Sequence, residues 1–140
     1  MLTFRPIKKC DKSYALALAK KEIGIEAKRL DRYKTFLIYN AAQRIGFVSF
    51  GFRSDKTIYL YILAFEKHAQ RQGFAAEVFT AVTNYGRKKG CSFKGLTCTV
   101  HKYNDAALNA VAKHGFLVER NRHNYFDFIK PVSCSKENQL

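Results

Sequence analysis

The sequence predicts a mixed α+β fold. Three observations carry that expectation. Residues 36–40, 45–53 and 57–65 are runs of β-branched and aromatic residues separated by short polar turns. The last of these runs passes through a polar loop into a segment with apolar residues at helical spacing. A further strand, helix and hairpin follow in that order.

Taken in order, residues 2–8 alternate as a short edge strand. Asp11 or Ser13 is placed to cap a helix with Tyr14, Ala17 and Leu18 on one face, ending at Gly24. Residues 26–33 are charged and weakly periodic, a short second helix or a segment on the substrate side. The three strand runs then form an antiparallel meander with turns at 41–44 and 54–56. A helix is expected over residues 75–89, with Val78, Val82 and Tyr85 recurring on one face. Arg87, Lys88 and Lys89 suit the negative end of its dipole, and Gly90 stands just beyond. Residues 92–100 read as a strand, Asn104 as the cap of a helix running to His114, Gly115 as its stop, and residues 116–119 and 124–130 as a terminal hairpin. Residues 132–140 are polar and aperiodic and are expected to form a frayed tail.

The chain has 140 residues, 47% of them apolar, enough for one core and too few for two ordinary domains, so residues 1–131 are expected to form one domain. No run approaches the ~20 apolar residues of a membrane span, and the first residues lack the apolar centre of a signal peptide, so a cytoplasmic protein without membrane attachment is expected. Cys10, Cys91, Cys98 and Cys134 are scattered and read as reduced thiols. With His68, His114 and His123 they show no ligand spacing, so no metal is expected. The net charge of +14 points either to an anionic partner, which could be a nucleotide diphosphate, an acidic protein or nucleic acid, or simply to a surface kept soluble by lysine.

The segment with the most chemistry is Gln70-Arg71-Gln72-Gly73-Phe74-Ala75, between an apolar strand and an amphipathic helix. A helix start offers unpaired N–H groups and a positive dipole end, and a glycine there admits a diphosphate close to the backbone. Gln70, Gly73 and Ala75 fit the signature of the GCN5-related N-acetyltransferase (GNAT) family, which is Gln or Arg, two residues, Gly, one residue, then Gly or Ala. Val100-His101-Lys102-Tyr103-Asn104 leading to Gly115-Phe116 resembles the family's next motif of strand, Asn, helix and Gly-Phe.

The resemblance implies a mostly antiparallel sheet splayed between its fourth and fifth strands, with helices on both faces and acetyl-CoA lying in the opening. It places the pantetheine arm on the backbone of Leu63 and Phe65, the pyrophosphate on the amides of Arg71, Gln72, Gly73, Phe74 and Ala75, and Asn104 beside the cofactor. The Phe65 N–H becomes the donor to the developing oxyanion. The family's usual acid, a tyrosine, is replaced by Val111, which leaves Tyr103, Tyr125 or water to protonate the departing thiolate, a group whose ordinary pKa is ~8.5. The positions that often carry a basic glutamate hold Tyr59 and Thr99, so His101 and Glu66 are the candidate bases.

Acyl transfer to a primary amine of a small molecule, peptide N-terminus or lysine is therefore expected. Two alternatives stand beside it. The first is a basic protein of this fold that binds or modifies RNA or ribonucleoprotein through Arg120, Arg122, Lys130, Lys28, Arg29 and Arg32. The second is a domain that binds coenzyme A without catalysis. Monomer and homodimer both remain open at this point.

Overall fold

The computed structural model describes residues 1–90 and 92–132. The element order is β1 (Leu2–Pro6), α1 (Lys12–Glu22), β2 (Lys34–Asn40), β3 (Gln43–Phe52), β4 (Thr57–Phe65), α2 (Phe74–Lys88), β5 (Gly95–His101), α3 (Asp105–Lys113), β6 (Leu117–Asn121) and β7 (Tyr125–Pro131), with one-turn 3-10 helices at Lys9–Asp11, Leu30–Arg32 and Lys67–Ala69. The strands follow the order β1-β2-β3-β4-β5-β7-β6. The mixed α+β fold with a mostly antiparallel sheet is the one expected from sequence. Its parallel pair joins Thr57–Tyr59 to Gly95–Thr97, and Leu60–Phe65 and Cys98–His101 continue outside that register.

Contacts divide the chain into two compact units: Met1–Gly51 with Leu60–Val78, and Phe52–Tyr59 with the chain from Phe79 onward. The chain passes between them inside β3, inside β4 and inside α2.

In the first unit, β1, β2 and β3 pair antiparallel. Leu37 and Phe47 are cross-strand partners, and with Ile62 and Ala64 of β4 they bury Ala15, Leu18 and Ala19 of α1. Fully burying a leucine or phenylalanine side chain contributes ~1.5–3 kcal/mol. The alternate residues Ile38 and Val48 turn to the opposite face and are buried too. At Gly46 an added Cβ would meet the Ala64 carbonyl oxygen at 2.1 Å, so β3 approaches β4 as only glycine allows.

In the second unit, β7 lies between β5 and β6 and pairs antiparallel with both. Phe79 of α2 meets the ring of Phe116 edge-on at 5.3 Å, and Val82, Leu96, Val111 and Phe128 are buried.

Several local expectations are corrected. β1 ends at Pro6, because Asp11 Oδ2 takes the Lys8 N–H (3.1 Å) and closes a one-turn 3-10 helix. Asp11 therefore makes no side-chain cap for α1, and Ser13 lies inside that helix. The buried face of α1 is Ala15, Leu18 and Ala19, and Ala17 is exposed. Residues 26–33 hold only the single turn Leu30–Arg32. β2 starts at Lys34, β3 at Gln43, and β5 runs from Gly95 to His101. The tail expected at 132–140 lies outside the described residues apart from Val132, as do Cys91 and Cys134. Among the described residues no helix is long and apolar enough to cross a membrane, and no group of His, Cys, Asp and Glu has the arrangement to hold a metal.

Candidate active site

The first unit carries the loop singled out by sequence. Along β4 the residues Leu60, Ile62 and Ala64 are buried, and Tyr61, Leu63 and Phe65 share the half-buried face. Tyr61 stacks on Tyr33 with ring centroids 4.6 Å apart, and its hydroxyl accepts the Arg29 N–H at 3.2 Å. At the end of the strand the Glu66 N–H donates to the Ile45 carbonyl (2.7 Å).

The Glu66 carboxylate accepts the Tyr14 hydroxyl at 2.7 Å. Burial, then the hydrogen bond to that carboxylate, push the Tyr14 hydroxyl well above its ordinary pKa of 10.0. The Arg44 guanidinium lies 3.6 Å from the centre of the Tyr14 ring. Glu66 is thus a half-buried, hydrogen-bonded carboxylate anchored to α1.

The loop itself is braced by its own glutamines. Gln70 Nε2 donates to the Phe65 carbonyl (3.1 Å) and to Glu22 Oε1 (2.8 Å), and Gln72 Nε2 donates to the His68 carbonyl. Arg71 and Gly73 both adopt left-handed backbone, φ +62° and +80°. Nothing lies within 4 Å of where a Gly73 Cβ would stand. Phe74 then opens the 15-residue helix α2, whose first N–H groups have no partner within the helix. Open space, an exposed backbone and a dipole end coincide here, an arrangement with the physical features that favour an anion. Leu63, Phe65, Glu66 and Gln70 through Ala75 are all brought together in this unit.

The second unit gathers the other candidates. β5 extends far enough to include His101, which pairs with Tyr125 of β7. The His101 ring meets Tyr125 edge-on (5.1 Å between centroids) and lies 5.3 Å from Tyr103. His101 Nδ1 accepts the Tyr103 N–H at 3.2 Å, so the neutral ring carries its proton on Nε2 and presents a donor there. A proton-accepting role for His101 requires that bond to open. Tyr103 is 84% exposed. Asn104 caps α3 as its type predicts: Oδ1 accepts the Ala107 N–H at 3.1 Å.

The sequence model of the acetyltransferase (GNAT) family matches residues 4–116. The chain belongs to the GNAT family. Solved structures share the fold at low identity. The ribosomal-protein-S18-alanine N-acetyltransferase of Escherichia coli is 18% identical, with a TM-score of 0.76 over 99% of this chain and 98% of its own. The PaiA N-acetyltransferase of Thermoplasma acidophilum, in complex with coenzyme A, is 15% identical with a TM-score of 0.77, covering 94% and 99%. A GNAT acetyltransferase from Elizabethkingia anophelis with acetyl-CoA bound is 15% identical with a TM-score of 0.73, covering 94% and 98%. No curated protein sequence matches the chain.

Against the GNAT pattern, Val111 is a buried core residue. Thr99, at a position where a basic glutamate was sought, donates instead to Asp127 Oδ1 at 2.7 Å, and Arg122 donates to the same oxygen at 2.9 Å. Sequence reasoning missed Asp127 because it searched β4 and β5, and this carboxylate arrives from β7. The signal was the polar Asp127 interrupting the apolar hairpin strand Tyr125-Phe126-Asp127-Phe128-Ile129. The Tyr14–Glu66 pair was likewise missed, its partners being 52 residues apart. Burial, aided by the Asp127 charge, pushes the Cys98 thiol up to about 12, so it is no nucleophile at neutral pH.

Proposed function

We propose that residues 1–131 act as one N-acetyltransferase domain that moves an acetyl group from acetyl-CoA to a primary amine by direct transfer in a ternary complex. The observation that carries this reading is the loop 70–75: two left-handed residues, an unobstructed glycine at φ +80° and the start of α2, braced by Gln70 on the end of β4. The coenzyme A and acetyl-CoA held by similar structures support the choice of ligand.

On this reading the amides of Arg71 through Ala75 take the pyrophosphate and the backbone of Leu63 and Phe65 takes the pantetheine arm, with Asn104 beside it. In the transfer the amine nitrogen attacks the thioester carbonyl carbon, the C–N bond forms as the C–S bond breaks, the nitrogen gives up a proton and the departing thiolate gains one. The Phe65 N–H stabilises the oxyanion. Glu66 and His101 are the groups assigned to proton removal from the amine, and Tyr103 and Tyr125 those assigned to proton delivery.

Calorimetric titration with acetyl-CoA tests the reading, with Gly73→Glu as the informative variant. A glutamate there sets a side chain and a negative charge in the cradle, and binding is expected to fall at least 100-fold. Undiminished binding would remove the pyrophosphate from this loop.

The buried Val111 favours a second reading, coenzyme A binding without turnover. Binding without acetylation of any amine in a broad panel would establish it over the first.

A further inference from the structure

A cavity of about 250 Å³ opens within the second unit, lined by Arg53, Asp55, Tyr59, Thr97, Cys98, Thr99, Glu119, Arg120 and Asp127. Its floor is a ladder. Tyr59 pairs with Thr97, the last pair of the parallel register, and Thr99, two residues on, pairs with Asp127, which pairs with Arg120. Directly paired residues, and residues two apart along a strand, share one face of a sheet.

Consecutive residues of a regular strand point to opposite faces, yet Glu119 and Arg120 line the same cavity. The reason is a β-bulge. Val118 pairs with Phe128 and Arg120 with Asp127, leaving Glu119 as the extra residue. Bulges re-aim side chains, and they concentrate beside functional sites.

The lining groups divide into those already engaged and those left open. Asp55 Oδ1 accepts both the N–H and the hydroxyl of Thr57, and Arg53 lies over the Tyr59 ring at 4.3 Å. Asp127 Oδ1 takes Thr99 and Arg122, with its second oxygen outside both bonds. Among the described residues, neither Glu119 nor Arg120 makes an ion pair. The cavity therefore offers carboxylate oxygens from Glu119 and Asp127 beside an uncommitted guanidinium from Arg120. Three of the chain's eleven acidic residues line it, in a protein of net charge +14, so a carboxylate-rich hollow is against the general trend of this surface.

A ligand with a cation and a carboxylate a few ångströms apart satisfies both signs at once, the guanidinium taking the carboxylate as a two-pronged donor. At ~30 Å³ per liquid water the space holds about eight waters, and ligand pockets for drug-sized molecules begin at ~300 Å³, so the ligand is small. We propose that this cavity binds a free α-amino acid, with its ammonium on Glu119 and Asp127 and its carboxylate on Arg120. This binding site does not depend on the acetyltransferase reading.

The test is an NMR titration of the full chain with each of the twenty amino acids, run with and without saturating coenzyme A, beside matched controls without a free carboxylate (alaninamide for alanine, and a tripeptide). At least one amino acid is expected to shift the amides of residues 97–99, 118–121 and 126–128, and to bind at least ten-fold more tightly than its amide. Arg120→Gln is expected to erase that preference, Glu119→Gln to weaken the amino acid and its amide alike, and both to leave coenzyme A affinity unchanged. These two side chains are exposed on β6, so the variants test recognition without disturbing the core. Shifts by no amino acid, or equal binding of acid and amide to wild type and Arg120→Gln, would overturn the proposal. Failure of coenzyme A itself to bind would sink the acetyltransferase reading instead, and the cavity would stand or fall on the amino-acid shifts alone.

Discussion

At the scale of single residues, the Tyr14–Glu66 hydrogen bond ties α1 to the end of β4, just ahead of the loop at residues 70–75. Removing the hydroxyl in Tyr14→Phe leaves a half-buried carboxylate without its donor, and hydrogen bonds to charged groups contribute ~1.5–3 kcal/mol when buried. Partial exposure brings the expected loss to about 1–2 kcal/mol at pH 7, read as a lower urea midpoint. The pH dependence follows from the raised pKa. The fold holds the neutral phenol more tightly than the unfolded chain does, so this stability is fully present below the ordinary value of 10.0 and is lost as pH rises beyond it. The gap between wild type and Tyr14→Phe should therefore narrow above pH 10. A constant gap from pH 7 to 11 would mean that the hydroxyl is not held neutral by the fold. None of this was legible in the sequence. Tyr14 was visible only as an apolar position on a helix face and Glu66 only as a candidate base, because a hydrogen bond across 52 residues leaves no local pattern.

At the scale of elements, α3 is set by its N-cap, Asn104. Asn104 to Ala costs the Ala107 N–H its acceptor, and loss of an Asn cap costs ~0.5–2 kcal/mol, so thermal or urea unfolding should show a drop of about 1 kcal/mol that Asn104→Ser largely restores. The same variants separate the two roles given to Asn104. A cap alone leaves acetyl-CoA affinity near wild type in Asn104→Ala, whereas a cofactor contact lowers it in Asn104→Ala and in the capped Asn104→Ser alike. This cap was readable because its chemistry is complete within four residues. The strands β2, β3 and β4 were readable from their β-branched and aromatic runs, with ends misplaced by up to two residues where polar Lys34 and Gln43 still pair in the ladder. The start of α1 was misread for a comparable reason: Asp11 has a capping side chain, but the Lys8 N–H captures it first. The bulge at Glu119 and the Thr99–Asp127 bond depend on the register of β7 between β5 and β6, which is set by pairing across the sheet and not by any single segment. The loop at residues 70–75 was legible because a glycine between a strand and a helix is a local signal, and the polar cavity was not, because it exists only after four strands have aligned.

At the scale of the whole molecule, the net charge of +14 draws any polyanion toward the protein, and that attraction is generic. It fades with salt, since the screening length falls from ~10 Å at 0.1 M to ~3 Å at 1 M. The cradle proposed at Gly73 would act at hydrogen-bond range through backbone N–H groups and would be screened far less. The two contributions separate when acetyl-CoA, coenzyme A and ATP are titrated at 0.05 and 0.5 M salt. ATP shares the adenine and a chain of phosphates with coenzyme A but lacks the pantetheine arm that the end of β4 would hold. All three affinities should fall as salt rises, ATP most steeply, so that the preference for the coenzyme A species widens. Gly73→Glu should remove that preference while leaving the weak, salt-sensitive binding that the rest of the basic surface supplies. Equal affinities erased together at 0.5 M salt would mean that charge alone binds these ligands, and that the loop, for all its geometry, holds no pyrophosphate.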